Sequence, residues 1–335
     1  MADVHRVVMC DLVPESLVRY PVTASRAVRV AQYLGLPPDE MALTPGSDSA
    51  LRLICQHHAR RGGAAVLLQD PNYVAVAQSA AALGLTVERV TAPRADPAAQ
   101  GAALVDLAAR TTGALIAVSV PNGLSGGSMD DSYLGKLADL AYEREHLLII
   151  DSCYQAFAGP LGAHFARRGD AVFVVQSMSK SHGLAGARVA VTAASASAIA
   201  ALGTAPLEHA VSEVALRALL NAIDHHDEFV SIWAEVRRCR ERAIERTRAA
   251  GWEVLDSDAN FVAAAPPHGL ASARLVEELS RAGYRVKDLG ELAGLANCIR
   301  FTVGDDATTD AFLDVLLNVA DELRNVPGDA CATEL

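Results

Sequence analysis

QSMSKSHGLAGARVA, Gln176–Ala190, decides how the rest of the chain is read. It follows an apolar run, Ala171–Val175, that reads as a buried strand. Three hydroxyl residues, Ser177, Ser179 and Ser181, surround one lysine, Lys180. The chain then passes Gly183 and Gly186 and reaches Arg188. Ligands of open α/β sheets sit at strand ends. Hydroxyls beside a guanidinium suit a phosphate. A lysine deprotonated by burial or by nearby positive charge attacks a carbonyl. A solvated serine-rich loop with a surface lysine is the competing reading of this segment alone.

Upstream lies LLIIDSCYQAF, Leu147–Phe157, where four apolar residues end in Asp151. A carboxylate at the end of a buried strand is costly unless a cation meets it. A protonated pyridine nitrogen would do so, with the phenol of Tyr154 within reach of the same ligand. A helix N-cap is the alternative for Asp151. Further back, Gly46, Ser47 and Asp48 open a helical pattern, which offers free backbone N–H groups to a phosphate. An ordinary N-cap would look the same. DPNYVAVAQSAAALG, Asp70–Gly84, is a strand-to-helix turn that places Tyr73 at the sheet mouth, where it would stack on a flat ring or simply pack.

The wider pattern is alternating short apolar runs and longer amphipathic stretches, the α/β signature. Strands are expected at Ala65–Gln69, Thr86–Val90, Ala114–Val118, Leu147–Asp151, Val172–Gln176 and Val189–Val191. Several are continuously apolar, as in a mostly parallel sheet buried on both faces. Helices are expected at Ser47–Arg60, Val74–Leu83, Ala98–Ala109 and Asp130–Glu145. One long charged helical region spans about Leu207–Ala249. A small α+β part follows: strand Asn260–Ala264, helix Ala271–Ala282, strands Tyr284–Lys287 and Cys298–Val303, and helix Ala307–Leu323, then a frayed tail after Asn325.

The 335 residues, 51% hydrophobic and 21% charged, suit a large domain with a smaller companion. The net charge of −11 argues against a nucleic-acid footprint. No apolar run reaches the ~18 residues of a membrane span, and the charged first residues are unlike a signal peptide. The six cysteines, at positions 10, 55, 153, 239, 298 and 331, form no CxxC pair or metal-ligand spacing. They read as reduced thiols of a cytoplasmic protein. The His57-His58 and His225-His226 pairs are assigned to polar helix faces, and no metal is expected.

Taken in order, RYP, GSDSAL, DPNY, VPNGLSGG, DSCY, SMSKSHGLAGAR, ANF and IRFTVG resemble the fold-type I pyridoxal-phosphate enzymes. Within them the chain is similar to the histidinol-phosphate aminotransferase-like branch of the class I/II aminotransferases, from about Tyr20 to about Ala320. The resemblance implies an α/β fold with a mostly parallel seven-stranded sheet in a large cofactor-binding domain, residues 37–205. Residues 1–36 and 206–335 would form the smaller α+β domain. It implies pyridoxal 5′-phosphate held as a Schiff base on Lys180, which also shuttles the proton. Asp151 would pair with the pyridine nitrogen, Tyr154 with the ring hydroxyl, and Tyr73 would stack on the ring. Ser177, Ser179, Arg188 and the amides of Ser47 and Asp48 would hold the phosphate, joined by Tyr20 from the other subunit of a homodimer. Arg300 would clamp the substrate's carboxylate or phosphate. Asn260 would belong to the same wall, and His182 would touch substrate.

The implied activity is transamination of a small amino acid or amine, with decarboxylation, elimination, cyclisation or oxidation as alternatives on the same scaffold. A non-catalytic regulatory protein is the distant alternative. Two departures stand out. The family's NPNNPTG loop here reads VPNGLSGG, so Asn122 matches the first Asn while Gly123 stands at the cofactor-binding position. Either Tyr154 is left as the main partner of the ring hydroxyl, or Asn122 shifts to replace the missing side chain. The chain before Tyr20 is also shorter than the family's arm. Both fit a specialised biosynthetic enzyme.

Overall fold

The computed structural model describes residues 15–18, 20–203 and 209–325. The leader reading, Cys10, Cys331, Leu207 and the tail after Asn325 lie outside the described residues.

Seven strands form the main sheet: β1 (Met41–Thr44), β2 (Ala65–Gln69), β3 (Thr86–Val90), β4 (Leu115–Ser119), β5 (Leu147–Asp151), β6 (Val172–Ser177) and β7 (Ala190–Ala193). Their order is β1-β7-β6-β5-β4-β2-β3. β3, β2, β4, β5 and β6 run parallel. β7 returns antiparallel between β6 and β1, with Ser177 opposite Ala190. Every residue of β4, β5 and β6 is buried, as expected where helices cover both faces. β1 escapes the sequence reading because only four residues stand between an acidic turn and Pro45-Gly46.

The expected Leu207–Ala249 helical region is two helices, Glu213–Asp224 and His226–Ala249, with His225 non-helical between them. Ser212 caps the first by accepting from the Ala215 N–H at 3.1 Å. Asp227 and Glu228 sit in the first turn of the second, where carboxylates meet the helix dipole favourably. Arg240 on this second helix is buried and donates to the carbonyls of Phe157 and Ala259, tying the main sheet's connections to the C-terminal part.

That C-terminal part has four antiparallel strands rather than three, in the order β10-β11-β9-β8: β8 (Glu253–Val254), β9 (Phe261–Ala265), β10 (Lys287–Asp288) and β11 (Ile299–Thr302). Helices Ser272–Arg281 and Asp306–Asn325 pack with it. One continuous apolar core joins Ile150 and Val174 of the first sheet to Trp233, Val262, Ile299 and Leu313. Cys55, Cys153, Cys239 and Cys298 are buried free thiols.

Two histidine placements differ from expectation. His58 is buried, with Nε2 bonded to the Ala65 carbonyl at 3.0 Å. His226 bonds the Tyr33 hydroxyl at 2.7 Å through Nδ1. Both rings face packed protein because their helices are covered on more sides than charge patterning suggests.

Candidate active site

The carboxyl ends of β5 and β6 and the N-terminus of the Ser47–Arg60 helix converge on a cavity of about 190 Å3. Ser47, Asp48, Tyr73, Asp151, Tyr154, Ser177, Ser179, Lys180, Arg188 and Arg300 all line it. A roomier groove of about 480 Å3, bounded by Asp96, Asp130, Glu253 and Asp256, has no lysine in its walls.

β6 hands the chain to a single helical turn, Met178–Ser181. The Ser177 hydroxyl accepts from the Ser179 N–H at 3.1 Å and starts that turn. The Ser179 hydroxyl is buried with no partner. Such an atom is a standing vacancy for an acceptor. Arg188 reaches the same place through a left-handed backbone, φ 54°. Its guanidinium donates to Asp48 at 2.9 Å. It also lies across Gly46, where a Cβ would sit 2.6 Å from Nη2, and Gly46 itself has φ 83°. Serine hydroxyls, a guanidinium and open helix amides together make a cradle of phosphate chemistry.

Lys180 is exposed in the single chain, in contrast to the buried amine expected. The one-turn helix carrying it stands at the open end of the sheet. Asp151 is buried, and burial pushes its carboxyl up. The Cys153 N–H at 3.1 Å opposes that rise, and the charge of Asp48 adds to it. A buried carboxylate in this state gains most from a cationic partner. Burial pushes the Tyr154 phenol up to about 12 against the opposing charge of Arg300. Its ring meets Phe261 edge-on, centroids 5.4 Å apart. Burial, then Asp48, raises the Tyr73 phenol.

Arg300 stacks over the Phe261 ring at 4.7 Å and donates to the Gly123 carbonyl. Lys287 lines the same cavity. Burial lowers its pKa, and the charge of Arg300 lowers it further.

Four expected residues stand elsewhere. Asn122 is buried, and its side chain is committed: Oδ1 accepts from the N–H groups of Leu124 and Ser125, and Nδ2 donates to the Pro71 carbonyl at 2.8 Å. A shift toward a ring hydroxyl would break all three bonds, which favours Tyr154 over Asn122 of the two alternatives. His182 is fully buried against Phe229 and Trp233, away from the cavity. Two residues along a helical turn is a rotation of about 200°, so it points away from the side Lys180 presents. Asn260 lines a separate, smaller void of about 50 Å3 that also touches Lys180. Tyr20 is 82% exposed, its ring 5.2 Å from that of His209.

Sequence reasoning missed Lys287 and Cys153. Cys153 lines the cavity two residues beyond Asp151, a spacing that was open to reading. Lys287 required pairing the Tyr284–Lys287 strand with the one bearing Arg300.

Residues 18–316 match the family description "Aminotransferase class I and II". A histidinol-phosphate aminotransferase from Methylibium petroleiphilum is 30% identical over 306 residues, spanning 90% of this chain and 81% of the relative. An aromatic amino acid aminotransferase from Rhodococcus opacus is 30% identical over 305 residues, 88% and 80% of the two chains. The structure of a histidinol-phosphate aminotransferase from Sinorhizobium meliloti in complex with pyridoxal-5′-phosphate superposes with a TM-score of 0.80 at 22% identity, covering 96% of this chain and 88% of that one.

Proposed function

This chain belongs to the class I and II aminotransferases and is a pyridoxal-phosphate-dependent aminotransferase, and from that premise we propose which residues do the work and on what. Lys180 is the cofactor lysine. The observation carrying the assignment is the orphaned Ser179 hydroxyl in the cradle of Ser177, Arg188 and the Ser47 and Asp48 amides, beside Lys180 and opposite Asp151. Those residues fit the cofactor's phosphate at one end and its ring nitrogen at the other.

When bound, the cofactor supplies an electron sink that acidifies the substrate's Cα–H. Asp151 holds the ring nitrogen protonated, which in turn restores the carboxylate's charge. Tyr154 stays a neutral phenol at working pH and donates to the ring hydroxyl. Tyr73 covers the ring face. Arg300 and Lys287 dock the substrate's anionic group. With the cofactor bound, the Lys180 amine would be the base that moves the proton at the substrate's Cα.

The substrate is a small amino acid or amine carrying an anionic group, in a specialised biosynthetic role. The enzyme works in the cytoplasm as a homodimer, with Tyr20 reaching across to the partner's phosphate cradle. Its 82% exposure in one chain is what a residue awaiting a partner has. The test is borohydride reduction after loading with pyridoxal phosphate, followed by peptide mass mapping. A pyridoxyl mass on Lys180 is expected. Absence of a chromophore, or labelling on another lysine, overturns the proposal. A panel of amino donors scored by loss of the yellow absorbance then ranks substrates.

A further inference from the structure

Trp233, His182 and Phe229 form an aromatic cage behind the Lys180 turn. His182 and Trp233 meet at 90° with centroids 5.3 Å apart, and His182 and Phe229 at 4.8 Å. Trp233 donates its indole N–H to the carbonyl of Ser181, the last residue of the turn. The Ser181 hydroxyl donates to the Ser177 carbonyl at 3.4 Å and lies 2.9 Å from His182 Nδ1. The contact to Nδ1 is the shorter of the two, and either group can donate across it. Whichever way that proton lies, Nε2 is buried without a partner.

We propose that His182 and Trp233 are positioning residues that aim the Lys180 amine. The inference rests on Lys180 being the cofactor lysine. A four-residue helix cannot hold itself, because one turn closes too few bonds to offset its ordering. Here the turn is pinned at Ser177 from within and at Ser181 from the long helix His226–Ala249. A residue chosen for packing alone would not leave a buried ring nitrogen unpaired, since that costs stability. Local rules are broken in this way at functional positions. Burial also keeps the ring neutral, because protonation would bury a charge. A second cation is thus kept out of the sequence immediately after Lys180. Burial holds this imidazole at about 3.

Three variants separate positioning from mere packing. Trp233→Phe keeps a ring and removes the donor. Ser181→Ala removes the hydroxyl. His182→Phe keeps a ring and removes the Nδ1 link. Each is loaded with pyridoxal phosphate and measured for the pH titration of the lysine–cofactor chromophore, the single-turnover rate at saturating amino donor, KM and thermal midpoint. Trp233→Phe and Ser181→Ala are expected to slow the single turnover about tenfold with KM within about twofold, as a mis-aimed group does. The chromophore's titration midpoint shifts in both. Variants that lose only thermal midpoint, with titration and rate at wild-type values, overturn the inference. Ser181→Ala alone carries the test if the Trp233 and His182 variants do not fold. Wild-type protein in which borohydride fails to label Lys180 overturns the cofactor assignment instead.

Discussion

Lys287 and Arg300 are Cα partners across the antiparallel β10–β11 ladder, and both line the cavity. Opposed residues of such a pair share one face of the sheet, so two cations stand side by side. Like charges there are unfavourable without an anion between them, and that points to what the site is built to receive.

Arg300→Gln is expected to lower kcat/KM for an anionic amino donor about 100-fold, since it removes a charge-assisted fork. Lys287→Gln is milder, raising KM about tenfold with kcat within about twofold. Steady-state kinetics on both variants check this. A kcat effect dominating in Lys287→Gln would place that residue in the chemistry and not in docking.

Lys287 also sets an alkaline limit. Burial, and then the charge of Arg300, lower its pKa in the folded protein. As pH rises through that lowered value the ammonium is lost, and anion affinity falls earlier than an ordinary lysine would allow. The pH profile of KM should climb on its alkaline side in the wild type and flatten in Lys287→Gln. Parallel climbs in the two proteins would assign the limb to another group.

Asp151 yields a stability prediction with a sign. Its folded pKa lies above the unfolded value of 3.8. Stability from such a group is fully present below the unfolded pKa and is lost as pH rises through the folded one. Cofactor-free Asp151→Asn should therefore melt above cofactor-free wild type at neutral pH, with the gap closing toward pH 3.8. Loaded with pyridoxal phosphate the order should reverse, and amino-donor turnover should fall at least about 100-fold. Calorimetry with and without cofactor reads both.

Gly46→Ala should disable the cradle. A methyl there would push aside the Arg188 guanidinium, 2.6 Å away, and strain a backbone held at φ 83°. A cost of about 1–2 kcal/mol in stability and at least about tenfold in pyridoxal-phosphate affinity is expected. Gly123→Ala makes the contrast: its nearest neighbour, Tyr154, lies 3.4 Å away, and Arg300 uses only the backbone carbonyl. Turnover within about twofold of wild type is expected there.

The parallel strands were legible because Leu147–Asp151 and its neighbours are buried on both faces, which leaves an uninterrupted apolar signature. Lys180, Asp151 and Arg188 were legible as chemically unusual groups at strand ends. Met41–Thr44 was not, since four residues carry no period. Sequence nearness says nothing of direction, so the placements of His182 and Asn122 were not legible: one is turned behind the helix, the other folded into its own loop. Lys287 was hidden because its importance lies in a register between two short strands, which no single segment encodes.

The reversed direction of β7 has a mechanical consequence. Since Ser177 and Ala190 are held by one ladder, the amine at 180 and the guanidinium at 188 hang from a single clamped loop. The spacing of the loop's two ends is a property of the sheet, while Trp233 bears on the aim of the amine. Any hinge motion of the C-terminal part can change which groups approach that loop, yet leaves the distance between its two ends untouched.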